Sequence, residues 1–310
     1  MKVVVTGAAG MLGSALVRRL ERLPEVELTP LTRTDLDLAD KDSWSGLLTA
    51  LKPDVIIHAA AKVGGIQANI AAPANFLSSN LLMDSNVITT SAELGVQNLL
   101  YIGSSCMYPK DYRQPLLESD LLAAPLEPTN EGYAIAKIAG SKLCEYISES
   151  SGLAFRTVIP SNLFGPGDNF SPSSSHLVSS IIRKVIEAEE AGSESIPVWG
   201  SGTARREFTF IDDLSDWIGS VLGNFESLPL RLNVGLGLDY SVKEFYEMAM
   251  EAIGYRAVLD FDLTKPEGMR QKLMDSSLAR ENYGWNPQTS VVDGIKITSK
   301  WYSENRRKFS

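Results

Sequence analysis

The first half of the chain alternates short apolar runs with amphipathic stretches. Five runs read as strands: Lys2–Thr6, Val26–Leu31, Asp54–His58, Asn98–Ile102 and Ala154–Ile159. Each is brief and mainly β-branched or leucine-rich, the mark of a strand covered on both faces. Between them, helical patterns span Met11–Arg22, Ser43–Leu51, Ala74–Leu94 and Tyr133–Ser150. Strands that alternate with helices, joined by right-handed crossovers, predict an α/β fold: a doubly wound, Rossmann-type parallel sheet.

After Pro160 the pattern loosens. Phe164–Ser175 and Trp199–Arg206 are rich in Gly, Pro, Ser and Asn and read as loop. Helical patterns return at Asp212–Gly223, Val242–Ile253 and Val291–Asn305. A smaller, discontinuous second lobe is expected. The first lobe is set at residues 1–165 with returns near 206–235, and the second at 166–205 and 236–310. Phe208–Leu214 and Arg231–Gly235 are the segments that can rejoin the first lobe.

Composition narrows the partners. The net charge is −9 and no basic run interrupts it, which argues against nucleic acid. No apolar run approaches the ~18 residues of a membrane span. The first strand starts at Lys2, which leaves no room for a signal peptide. Two cysteines, Cys106 and Cys144, make no disulfide framework, and no Cys/His spacing reads as a metal site. A cytoplasmic protein with no metal and no membrane partner is expected.

The candidate chemistry begins at the first strand's end, in Gly7, Gly10 and Gly13. A glycine there permits a tight turn, a second lets the backbone approach a pyrophosphate, and a third lets helix and strand pack closely. The phosphates then sit on the helix N-terminus. Strand–glycine loop–helix is the context that gives this spacing meaning. The first charge after the second strand is Arg33, which suits a 2′-phosphate and favours NADP over NAD. Asp37, close behind, is placed to accept from the adenine amino group.

The fourth strand runs into Gly103-Ser104-Ser105-Cys106, at a strand C-terminus where ligands bind in such sheets. Downstream, Tyr133 and Lys137 stand four apart on a helix and share a face. A nearby ammonium is expected to lower the phenol pKa. Tyr133 then protonates a carbonyl oxygen as hydride reaches its carbon, and Ser104 bonds the same oxygen. Cys106 reads either as an inert buried thiol or as a base beside Ser104. His176 stands at a loop-to-helix start. His58 ends an apolar strand and reads as structural or as flanking the cofactor, and Cys144 reads as core.

With these motifs in place, the chain resembles the extended short-chain dehydrogenase/reductases, and within them the GDP-L-fucose synthase family. The matching segments are Ala59–Ile66, Gly103–Lys110, Glu127–Gly140, Asn162–Phe170, Val198–Thr203 and Arg206-Glu207-Phe208, which run over most of the chain. The resemblance implies Ser104, Tyr133 and Lys137 as the reducing triad, with Cys106 and His176 as an epimerisation pair. It implies NADP(H) contacts from Met11, Leu12, Ala60, Lys137 and His176 beside the glycines, Arg33 and Asp37. It implies a GDP-sugar held by Asn162, Lys184, Trp199, Arg206 and Lys272, and a homodimer formed through Met83–Leu94 and Tyr133–Ser150. The implied reaction is 3,5-epimerisation and NADPH-dependent 4-reduction of GDP-4-keto-6-deoxy-D-mannose to GDP-L-fucose. Two other readings stay open: action on another GDP-4-keto sugar such as a heptose, by both activities or reduction alone, and a non-redox NAD-dependent nucleotide-sugar epimerase. Two departures from the family pattern are visible. Ala8 and Ala9 replace basic residues in the glycine loop, and the basic residues around Met269-Arg270-Gln271-Lys272 differ in order.

Overall fold

From the N-terminus the chain runs β1 (Lys2–Thr6), α1 (Met11–Leu20), β2 (Glu27–Leu31), α2 (Lys41–Leu51), β3 (Val55–His58), α3 (Ile66–Ala71), α4 (Pro73–Glu93), β4 (Asn98–Ile102), α5 (Glu131–Ser151) and β5 (Ala154–Pro160). It continues through β6 (Asn162–Phe164), α6 (Leu177–Ala191), β7 (Ser195–Trp199), β8 (Arg205–Phe210), α7 (Ile211–Val221) and β9 (Arg231–Val234). The remainder is β10 (Asp239–Ser241), α8 (Val242–Ile253), β11 (Val258–Asp262), β12 (Gln271–Lys272), α9 (Ser277–Asn282) and α10 (Val291–Asn305). The computed structural model describes residues 1–172, 174–265 and 268–308.

Six strands form one parallel sheet in the order β2-β1-β3-β4-β5-β9. Its inner strands are apolar on both faces because both are covered. Val3 and Val5 face α1 and α7, in a core with Leu16, Leu214 and Trp217. Val4, between them, faces the other way, toward Trp44, Val87 and Phe155. This is the period-two alternation of a strand with two buried sides. The chain moves from β1 outward to β2 and then returns to β3, so a crevice opens above the C-terminal ends of β1 and β3.

The second sheet is built around β8, which pairs with β6, β10 and β12; β7 and β11 form a separate parallel pair. Phe208 anchors this lobe, edge-on to Phe164 and Phe245 with ring centroids 6.1 and 5.2 Å away. A Ser241/Glu244 capping box starts α8 where the pattern predicts a helix. Glu207 on β8 joins scattered segments: one oxygen accepts from Gly237 N (2.7 Å) and the other from Met274 N (2.9 Å). Burial raises its carboxyl to about 7, against the pull of those two donors.

The two candidate return segments behave differently. Arg231–Val234 pairs with β5 in the large sheet. Phe208–Phe210 stays in the small sheet, and only the following helix α7 packs back onto α1, with Arg18–Asp212 and Arg19–Asp216 ion pairs of 2.9 Å at its surface. The stretches expected as loop also contain strand: Phe164 ends β6, Trp199 ends β7, and Arg205 and Arg206 begin β8.

Candidate functional site

The glycine loop is closed to side chains. Gly7 has φ +71°, and a Cβ on it would stand 2.7 Å from the Ala60 backbone. A Cβ on Gly13 would stand 2.0 Å from the Gly7 carbonyl oxygen. Helix α1 begins at Gly10 with no side-chain cap and no acid in its first turn. Its first N–H groups and dipole therefore face the crevice, an arrangement that fits the pyrophosphate of a dinucleotide. Arg33 is exposed at the end of β2, and among the described residues no carboxylate pairs with it. Asp35 is occupied by the Thr32 amide and hydroxyl (2.8 and 2.6 Å). One Asp37 oxygen accepts from Ala39 N (2.9 Å).

Ser104 caps the short turn at Ser105–Met107 and accepts from Cys106 N at 3.2 Å, and its hydroxyl faces Tyr133 in the crevice. Tyr133 and Lys137 share the inner face of α5. The expectation for the phenol pKa is overturned. Loss of water contact pushes Tyr133 well above the ordinary tyrosine value, Cys106 and Asp84 add to this, and the Ser104 hydroxyl pulls it down. The reason is where the ammonium points. Lys137 Nζ lies 3.5 Å from Asp84 Oδ2 and 4.4 Å from the Tyr101 ring centroid, and it is buried. Its charge is paired with a carboxylate.

Cys106 meets two donors: Asn130 Nδ2 at 3.2 Å and Lys272 Nζ at 3.8 Å. Lys272 was expected against the substrate; the structure places its ammonium beside the thiol as well as on the crevice wall. Asn130, three residues before Tyr133, carries no expectation from the sequence. Its signal is its place inside the Glu127–Gly140 run. His176 is the residue before α6, as its loop-to-helix position implies. Its Nδ1 lies 3.5 Å from Asp168 Oδ1, a contact that raises its pKa; partial burial opposes the shift and the Asp168 charge supports it.

The remaining residues form the far wall. Lys184 Nζ donates to the Pro197 carbonyl (2.9 Å), and burial followed by the neighbouring Arg183 charge lowers its pKa. Asn162 donates to the Glu207 carbonyl (3.0 Å) and ties β6 to β8. Arg206 Nη1 donates to the Arg205 carbonyl (2.7 Å). Trp199 is exposed, with the Lys265 ammonium 5.7 Å from its ring centroid. His58 and Cys144 do not reach the crevice; both are fully buried.

Every site residue expected from the sequence lines one continuous crevice of about 1270 Å³. That exceeds the roughly 300–1,000 Å³ of a pocket for one small ligand, so the space suits two ligands meeting end to end. Among the described residues, no three His, Cys, Asp or Glu side chains gather as a metal site, and no helix is long and apolar enough to cross a membrane.

Residues 3–235 match the NAD dependent epimerase/dehydratase family, and the chain belongs to it. It is 42% identical over 303 residues to GDP-L-colitose synthase of Yersinia pseudotuberculosis, covering 97% of this chain and 98% of that one. It is 43% identical over 304 residues to GDP-L-fucose synthase 1 of Arabidopsis thaliana, covering 98% and 94%. Among solved structures it resembles a GDP-L-fucose synthetase from Naegleria fowleri bound to NADP, with TM-score 0.88, 26% identity and coverage of 99% and 93%.

Proposed function

We propose that the protein converts GDP-4-keto-6-deoxy-D-mannose to GDP-L-fucose by epimerising C3 and C5 and reducing C4 with NADPH. One observation carries this reading: Ser104, Tyr133 and Lys137 open onto the same crevice as Cys106 and His176. A pure reductase has no use for the second pair.

The C4 ketone makes the protons on C3 and C5 acidic. Cys106 takes such a proton, and Tyr133 and Ser104 hold the enolate oxygen. His176, whose contact with Asp168 favours the protonated ring, returns a proton to the opposite face of the sugar. NADPH, when bound, supplies the hydride that reduces C4. Tyr133 gives its proton to the oxygen at C4. Gly7, Gly10, Met11, Leu12 and Gly13 hold the dinucleotide phosphates, and Arg33 the 2′-phosphate. Asp37 and Ala60 line the dinucleotide half, with Lys137 and His176 at its junction with the sugar. Asn162, Lys184, Trp199, Arg206 and Lys272 line the GDP-sugar half.

In this reading the lobe set at residues 1–165 with returns near 206–235 serves the cofactor, and 166–205 with 236–310 serve the nucleotide sugar together with Asn162 on β6 and Arg206 on β8, which lie in the small sheet. A cytoplasmic homodimer is proposed through α4 and α5, where Leu81 and Tyr146 are exposed together around a shallow depression. The test is incubation with GDP-4-keto-6-deoxy-D-mannose and NADPH, with product stereochemistry read by NMR. Stoichiometric NADPH consumption and inversion at both carbons are expected. Reduction without inversion leaves a reductase alone, and inversion without NADPH consumption leaves a non-redox epimerase.

A further inference from the structure

The most deeply buried charges in the large sheet's lobe lie behind the crevice. Asp84, on α4, is 1% exposed, and three other elements converge on it. His58, at the end of β3, places Nε2 3.1 Å from Asp84 Oδ1. The Tyr101 hydroxyl, from β4, donates to Oδ2. Lys137, from α5, reaches the same oxygen. On its far side His58 Nδ1 lies 2.7 Å from Thr6 Oγ1, which accepts from Ala60 N at 3.3 Å.

The donors can be assigned in only one consistent order. Burial lowers the His58 pKa and favours the neutral ring, which carries one proton. Burial raises Asp84, but the Lys137 charge, His58 and Tyr101 outweigh it and keep the carboxylate ionised. An ionised carboxylate only accepts, so His58 Nε2 must donate to it. Nδ1 is then an acceptor and takes the single proton of Thr6. Donation therefore runs from the Ala60 amide through Thr6 and His58 to Asp84, which accepts from the Lys137 ammonium on its other side.

An ionised carboxylate at this depth is costly unless paired, and a helix packed between α2 and α5 needs no charge to pack. Among the described residues, Lys137 is the only permanent cation in contact with it. We propose that Asp84 is a positioning residue for Lys137, and that the Thr6–His58–Asp84 chain fixes the ammonium relative to the Ala60 backbone that walls the cofactor crevice. The proposal rests on the reading of Lys137 as part of the reducing triad.

A double-mutant cycle tests it. NADPH oxidation and NADPH affinity, the latter by fluorescence, are measured for wild type, Asp84→Asn, Lys137→Met and the double variant. Asp84→Asn is expected to lower kcat by about 10- to 100-fold with the keto-sugar KM within about twofold, and in the double variant to cost less than about threefold beyond Lys137→Met. Asp84→Glu, which keeps the charge, should recover part of the loss. Losses that multiply, or a wild-type kcat in Asp84→Asn, overturn the proposal, since a residue needed for packing alone costs the same with or without Lys137. If Asp84→Asn does not fold, Tyr101→Phe takes its place in the cycle, removing one donor while keeping the ring, with the same two outcomes. If wild type does not oxidise NADPH with the keto sugar, the functional reading fails. The cycle is then scored on NADPH affinity, where coupling between the two positions supports the proposal and additivity overturns it.

Discussion

The two centres proposed to move protons in the crevice are built in different ways. Tyr133 and Lys137 stand on one helix, and everything behind Lys137 belongs to β1, β3, β4 and α4. Cys106 and His176 depend on pieces from both lobes: a turn after β4, Asn130 before α5, Lys272 from β12, and Asp168 in the loop after β6. In the first centre Lys137 is buried and held by packed secondary structure. The second is partly exposed and exists only when the lobes are docked. A disturbance of the small lobe that leaves the GDP-sugar bound should therefore cost epimerisation more than reduction.

The strongest way to break this contrast is at its first member. Tyr133→Phe is expected to cut NADPH oxidation on the order of 10²–10⁴-fold while NADPH binding stays within a few-fold. Near-normal oxidation by the variant would remove Tyr133 from the chemistry. Cys106→Ser tests the second member. Solvent deuterium incorporation at C3 and C5, followed without NADPH, should fall about 100-fold, and NADPH binding should hold. Wild-type exchange in this variant would leave only a reductase.

Arg33→Ala sharpens the contrast from outside both centres. It should narrow the preference for NADPH over NADH about tenfold, because a charge-assisted contact to the 2′-phosphate is lost while NADH is untouched. An unchanged ratio would mean that Arg33 is a solvated surface group. Asp168→Asn should have the smallest effect. Asp168 raises the His176 pKa, so protonated His176 persists to higher pH than a free histidine. Inversion should fall as pH rises through that raised value, and the variant should move the fall to lower pH. The same contact adds stability in full below the ordinary histidine pKa and loses it as pH climbs through the folded value. A pH–inversion profile identical to wild type would detach Asp168 from His176.

The large sheet was legible because its strands are continuous apolar runs and its helices carry periodic faces. β1 and β4 fall where Lys2–Thr6 and Asn98–Ile102 predict them. The small lobe was less so. β6, β10 and β12 span three, three and two residues, too short to carry a period, and their pairing with β8 is non-local. Within the site, the residues with recognisable chemistry could be named from the sequence and line one crevice, and their supports could not be named. Asp84 is a polar side chain on the buried stripe Asn80, Asp84, Val87, Ser91 of α4. That placement is visible in helical spacing, but no local rule names Lys137 as its partner. Arg206 and Trp199 were read as wall residues in a loop, whereas they sit on strands.

The place of β9 at the end of the large sheet has a consequence for how the chain can be made or cut. β5 is synthesised long before its neighbour, and the α1 face of the same core waits for Leu214, Trp217 and, further on, Trp285. A growing chain therefore carries an open strand edge and an uncovered apolar surface until most of the small lobe has left the ribosome. Truncation after residue 165 should leave a fragment that aggregates or is rapidly digested, and a stable, protease-resistant fragment of that length would contradict this. No single cut separates a cofactor-binding module that can be borrowed for another enzyme; the reusable unit is the whole chain.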